Sequence, residues 1–380
     1  MQEIESTENL ETHLRREASL ARVVVQGLSL IEFGDELRNT PVKGAIFLGC
    51  ELDAKTSQYI LQSGGLIFPR LPNLPYHPYR GSLYNAQSLT EGYRLGHPET
   101  LSSSFDQRVY KHYDEARKHS EGATIAEALA QRLHDHAIED ALHDYLNSAP
   151  NGVPRRVVAV MGGHGMLRDD PAYRKVARIS HALTSRGYVM ATGGGPGAME
   201  ATNLGAWLAG YPIASIDDAL QSMKSAPHYK DPSWWDTSLQ VLQRYPDKPG
   251  ESIAIPTWYY GHEPPNLFAT HIAKFFSNSL REDGLLTIAH EGVIYAPGSA
   301  GTIQEVFMDA CQNHYGTAGN VSAMVFMDRD YWTRTKPVYP LLQSLASSRQ
   351  YGALLGIEDE EEAIVDFIIQ HPPQDYETEK

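Results

Sequence analysis

The chain has 380 residues, 42% of them hydrophobic and 21% charged, the balance of a globular protein and not of a fibrous, coiled-coil or low-complexity one. Lysine and arginine number 32 against 47 aspartates and glutamates, a formal net charge of −15, which argues against a broad nucleic-acid or anionic-membrane surface but leaves room for a local cationic pocket. The two cysteines, Cys50 and Cys311, lie far apart and outside any CxxC or Cys/His spacing, so neither a disulfide framework nor a thiolate zinc site is expected, and a reducing intracellular setting is the default.

The N-terminal segment is acidic before it is apolar, the reverse of a secretion signal. Apolar runs are strand-length, far short of the ~20 residues a membrane helix needs. The expectation is a cytoplasmic protein with no nucleic-acid or membrane partner. In chain order, 23–30, 44–50 and 64–69 read as buried strands, with a helix over 54–62, forming a small α/β unit. The Pro- and Tyr-rich run 69–93 has neither period and reads as an ordered surface loop. Helical spacing returns over 105–146, where Ile125, Leu129, Leu133, Ala137 and Leu142 recur. Turn formers and prolines at 147–154 mark a linker. The expected division is 1–150, of unassigned role, and 151–380.

Beyond the linker the alternation is regular: a strand at 156–162, a helix at 171–186, a strand at 188–194, a helix at 197–208, then short apolar strands at 213–216, 253–258, 292–298 and 323–328. Strands alternating with helices predict βαβ units, a parallel sheet and right-handed crossovers. The fold class is α/β, a Rossmann-like doubly wound sheet with a smaller N-terminal α/β domain. Its ligand site is expected outside the carboxyl ends of the strands.

Glycines collect at three such ends: 161–165 (MGGHG, with Gly162, Gly163 and His164), 192–206 (TGGGPGAMEATNLGA, with Gly194, Gly195, Gly197 and Glu200) and 297–305 (PGSAGTIQE, with Pro297, Gly298, Ser299, Gly301, Thr302 and Glu305). Glycine lets backbone N–H groups approach an anion, and the helix N-terminus behind each turn adds roughly half a positive charge. Neither GxxxxGK[ST] nor GxGxxG with an acidic residue further on is present, so ATPase and dehydrogenase chemistry are poor matches. A single phosphate needs less, and backbone amides with the hydroxyls of Ser299 and Thr302 suffice.

The second and third of these segments resemble the paired GGGxxGxM and PGGxGTxxE signatures of the LOG family, and the resemblance spans about 155–356. It implies hydrolysis of the N-glycosidic bond of a nucleoside 5′-monophosphate to free base and ribose 5-phosphate, with no cofactor and no metal. The chain's length and its GHEPPN segment at 261–266 look more like the family's longer bacterial branch, which carries an extra N-terminal domain. Position by position, Glu305 matches the final glutamate, and Gly298, Gly301 and Thr302 match the phosphate-holding residues. The second glycine of that signature is Ser299 here. The family's catalytic arginine usually lies fifteen residues before the motif proline; Arg281, sixteen before Pro297, is the best candidate for it, with Glu282 in place of a partner lysine. Members look like dimers or higher assemblies, so a homo-oligomer is expected. The alternative is a non-catalytic protein on the same fold that senses a nucleotide or carries a phosphorylated cofactor.

The chemistry agrees with the resemblance. Breaking a ribosidic bond builds positive charge on the sugar and negative charge on the leaving base, calling for a carboxylate near the sugar and a cation or donor near the base. Glu305 sits about one helical turn beyond the phosphate turn, where it can serve the sugar or merely complement its own helix end. Glu200 has a similar place in the second turn and is a candidate for the ribose hydroxyls. His262, Glu263 and Asn266 follow the strand at 253–258 and are candidates for lining the site, Asn266 as a base or ribose partner. Trp234, Trp235, Trp258 and Tyr259 are candidates for stacking on a base or for packing. His134, Asp135, His136 and Asp140 invite a metal, but only His136 and Asp140 share a helix face, and a solvated face is the preferred reading.

Overall fold

A computed structural model describes residues 2–118, 122–149, 152–261 and 263–377. Its chain divides into two compact units, 1–83 with 111–145, and 84–110 with 146–380. The segment 84–110 thus belongs with the larger unit, although it precedes the linker in sequence. The boundary expected at 150 and 151 falls outside the described residues.

The smaller unit holds four parallel strands in the order β1 (Gln2–Ile4), β2 (Val23–Gln26), β3 (Ile46–Leu48) and β4 (Leu66–Phe68). Asp53 caps the helix Ala54–Gln62, its carboxylate accepting from the N–H groups of Lys55 and Thr56. Ile4, Val23, Val25, Phe47 and Ile60 build the core. In the long helix Ile125–Asn147, His134 is buried beside Asp135 and meets the Tyr76 ring edge-on, while His136 is exposed. The histidines therefore do not converge. Asp140 lies instead with Glu3 and Asp144.

The larger unit is built on seven parallel strands. They run in the order β12 (Leu355–Glu358), β11 (Met324–Met327), β9 (Gly292–Tyr295), β5 (Val157–Met161), β6 (Val189–Thr192), β7 (Ser252–Ala254) and β8 (His271–Ile272). A short antiparallel pair joins β10 (Asn320–Val321) to β13 (Gln374–Asp375). β5, β6, β9 and β11 are buried along their whole length, as expected of central parallel strands covered on both faces. The helix Pro171–Thr184 packs on Ala198–Trp207 and Glu361–Gln370. The core between them and the sheet includes Val158, Tyr173, Ile179, Leu204 and Ile364. From β5 the chain winds outward through β6, β7 and β8, then crosses back to place β9 on the other side of β5. That reversal is the topological switch point of a doubly wound sheet, where ligand crevices form.

Two expectations are corrected. Segment 213–216 is not a strand but the start of the helix Ala214–Met223. Its apolar run continues at helical spacing through Ile216, Ala219 and Met223, all buried, so a short apolar run was read with the wrong period. The run 69–93 is not wholly superficial. Tyr84 is buried and pairs with Ile272 through reciprocal backbone bonds of 2.9 and 2.8 Å, covering the edge strand β8. Nearby, Lys274 and Asp106 form a buried ion pair to which the indole N–H of Trp258 adds a 3.1 Å bond. Among the described residues no helix is long and apolar enough to cross a membrane.

Candidate functional site

The carboxyl ends of β5, β6, β9 and β11 open onto one cleft of about 920 Å³. Its floor is the turn 297–302, which leads from β9 into the helix Ala300–Tyr315. The N–H groups of that helix's first turn have no acceptor within the helix, and no side chain caps them. They and the helix dipole give the cleft an anion-accepting end without any lysine. Thr302 is buried, its hydroxyl packed so close beneath Gly298 that a Cβ there would stand 2.2 Å from Oγ1. Ser299 has φ −108°, which any residue adopts, so the departure from a second glycine carries no backbone strain.

Gly162, Gly163 and His164 form the opposite wall. The Gly163 N–H donates to the Pro297 carbonyl at 3.0 Å, tying the first turn to the third. His164 is half-exposed, with Nε2 3.7 Å from Oε1 of Glu263, which also lines the cleft. His262 lies outside the described residues.

Between the walls stand Arg281 and Glu305. Arg281, on the helix Asn278–Ile288, donates from Nε to the Ile255 carbonyl at 3.1 Å and brings Nη1 within 3.6 Å of Glu305 Oε1. Both side chains are mostly buried, at 14% and 13% exposure. Burial pushes the Glu305 carboxyl up to about 7; Arg281 opposes this and Glu282 adds to it. One helical turn on, burial raises Asp309 to about 7 as well, against the Tyr295 hydroxyl that donates to it at 2.6 Å. Glu282 itself accepts from Asn278 at 2.8 Å and from Gln304 at 2.9 Å. The cleft therefore pairs a guanidinium with a carboxyl that can exchange its proton near neutrality.

The second glycine turn contributes differently from expectation. Gly194, Gly195, Gly197, Glu200 and Asn266 do not line the cleft. Glu200 is buried and bound in an ion pair to Arg168, with the Tyr173 hydroxyl donating to it at 2.9 Å. That carboxylate is spent on holding Arg168, which in turn bonds Thr237, Ser238 and the Ala226 carbonyl, and it is not available to a ribose. Asn266 is fully buried, donating to the Gly195 carbonyl at 3.1 Å and to Asn203 at 3.0 Å. It supports the turn from behind. Gly197, at φ +70°, approaches the first turn so closely that a Cβ would lie 2.3 Å from the Gly163 oxygen. The tryptophans are packing residues: Trp234 and Trp235 sit in a cluster with Ala226 and Leu267, and Trp258 is fully buried.

Other lining residues escaped the sequence reading. A Cβ on Gly193 would stand 2.1 Å from an Arg281 terminal nitrogen, so this glycine makes the space in which the guanidinium lies. Tyr260, next to the candidate Tyr259, supplies an aromatic wall. Asp328 and Tyr331 close the cleft beyond β11. Their signal was available, since Asp328 ends and Tyr331 closely follows the strand predicted at 323–328.

Fold and cleft together define a doubly wound α/β protein with an anion-accepting helix end at its switch point. The sequence matches no model of a known protein family and finds no relative among curated proteins. Among solved structures, similar chains include the molybdenum cofactor carrier protein of Chlamydomonas reinhardtii, at 12% identity over 57% of this chain and 97% of that one, with a TM-score of 0.36. Another is the molybdenum cofactor binding protein of the phototrophic bacterium Rippkaea orientalis, at 14% identity over 57% of this chain and 98% of that one, with a TM-score of 0.37. Likenesses this distant say nothing about what the cleft binds.

Proposed function

We propose that the cleft binds a nucleoside 5′-monophosphate and hydrolyses its N-glycosidic bond, releasing the base and ribose 5-phosphate. The observation that carries this is the Arg281–Glu305 pair, 3.6 Å apart and largely shielded from water, beside an uncapped helix N-terminus. A phosphate on the amides of 299–302 brings the attached ribose toward Glu305, which lies one turn further along the same helix. As the bond between C1′ and the base nitrogen lengthens, the Glu305 carboxylate stabilises the sugar cation and takes a proton from the attacking water. The water oxygen bonds to C1′, the bonding pair leaves with the base, and the Arg281 guanidinium offsets that charge. The proton held on Glu305 then passes to the base nitrogen. The likeness of 192–206 and 297–305 to the LOG signatures supports the same assignment.

The test is incubation with a panel of nucleoside 5′-monophosphates, following free base and ribose 5-phosphate by chromatography. At least one should be cleaved, and Glu305→Gln should slow the release by about 10²–10⁴-fold. Absence of free base from every member, or release by the Glu305→Gln variant at the parent rate, overturns the proposal. Thermal stabilisation by a nucleotide that is recovered unaltered would leave binding without hydrolysis as the role of the cleft.

A further inference from the structure

The turn 297–302 is held by its carbonyls from two neighbouring strands. The Pro297 carbonyl is drawn toward β5 by the Gly163 N–H at 3.0 Å. The next carbonyl, that of Gly298, is drawn the other way by a short hydrogen bond from the Tyr331 hydroxyl, beyond the end of β11. No peptide bond in the described residues is cis, and in a planar trans peptide the N–H points opposite to the C=O. Fixing the Gly298 carbonyl toward β11 therefore aims the Ser299 N–H toward β5, into the switch-point cleft that Ser299 lines.

Tyr331 is itself presented by an unusual piece of backbone. Asp328, the first residue after β11, has φ +79°, a left-handed conformation that non-glycine residues seldom adopt. Its carboxylate accepts the Tyr331 N–H at 2.9 Å, and its carbonyl accepts the Trp332 N–H at 3.1 Å. A π-helical turn, Tyr331–Thr335, follows, a form that concentrates at functional sites. Trp332 anchors it, buried with its indole N–H on the Tyr295 carbonyl at 3.2 Å. A strained residue, a π turn and a buried tryptophan thus converge on placing one phenol hydroxyl on one carbonyl of the anion turn.

We propose that Tyr331 is a positioning residue for phosphate recognition, acting through the Gly298–Ser299 peptide to hold the Ser299 N–H as a donor to the ligand's phosphate. This rests on the phosphate being seated at 298–302. Tyr331→Phe removes the hydroxyl alone. Titration calorimetry with AMP, GMP, CMP and UMP, with the matched nucleosides and with inorganic phosphate, is the measurement. In the variant, the dissociation constants for the monophosphates and inorganic phosphate should rise about tenfold. Nucleoside affinity and the apo melting temperature should stay close to the parent's. Unchanged phosphate affinity, or equal losses for nucleotides and nucleosides, overturns the inference while leaving the site assignment intact. A parent protein that does not prefer the monophosphates to the nucleosides overturns the site assignment and this inference with it. Tyr331→Gln, which restores a donor, should recover part of the loss, and its failure to do so counts against positioning even if Tyr331→Phe folds poorly.

Discussion

The second and third glycine turns look alike in sequence: each follows a buried strand, opens a helix and carries a glutamate soon after. They do opposite work. At 192–200 only Gly193 and Met199 reach the cleft, while Asn266 donates to the Gly195 carbonyl from behind and Glu200 is locked on Arg168. At 297–305 the turn faces the cleft, its helix end uncapped and Glu305 beside Arg281 at 3.6 Å. A glycine-rich turn with a following carboxylate is thus a local geometry that serves packing or binding according to what the neighbouring strands put beside it.

The sharpest way to break this contrast is to neutralise each glutamate. Glu305→Gln should cost about 10²–10⁴-fold in the rate of base release, with little loss of melting temperature. Glu200→Gln should do the reverse, because it leaves Arg168 buried without its counter-charge. The expected cost is about 3–5 kcal/mol by denaturant unfolding, with a near-normal rate in whatever fraction remains folded. Comparable effects of the two on both measurements would erase the distinction.

Glycine substitutions probe the same contrast at smaller amplitude. Gly197→Ala places a side chain at φ +70° and against the Gly163 oxygen, so it should destabilise by more than about 1–2 kcal/mol. Gly301→Ala meets nothing within 4 Å and should keep stability within about 0.5 kcal/mol, while its methyl group weakens phosphate binding. Thermal melts with and without nucleotide separate the two.

The pH dependence follows from the raised carboxyl of Glu305. Because the proposed mechanism uses the carboxylate form, base release should climb as pH rises through about 7. Stability moves the other way. A carboxyl whose folded pKa is above its unfolded value holds its proton more tightly when folded, so its contribution is complete below the ordinary value of 4.5 and is lost as pH rises to about 7. Glu305→Gln should reduce that decline; Asp309, raised for the same reason, adds its own share. The smallest expected effect belongs to Ser299→Gly. With φ already at −108°, the change should alter stability by no more than about 0.5 kcal/mol.

Much of the sheet was legible because central parallel strands are short and apolar, a signal carried locally by 157–161, 189–192, 292–295 and 324–327, with glycine soon after the first three. Segment 213–216 failed because three apolar residues among four do not carry a period. Within the proposed site, Glu305 and the turn 297–302 are suggested by the glycine-rich segment and Arg281 only by the family resemblance, whereas Glu200 and Asn266, candidates for the ligand, lie buried outside the cleft and hold the scaffold. Gly193, Tyr260 and the Asp328–Tyr331 segment come from three separate parts of the chain, and no local pattern joins them to one another.

The amino-acid order by itself determined the central strands, most of the helices that follow them and the glycine-rich turns between, because those features depend on residues a few positions apart. Which turn is open and which is filled was decided only by tertiary structure. That choice depends on Arg168 and Asn266 reaching one turn and on Arg281 and Tyr331 reaching the other. These contacts exist only because strand order brings together side chains remote in the sequence.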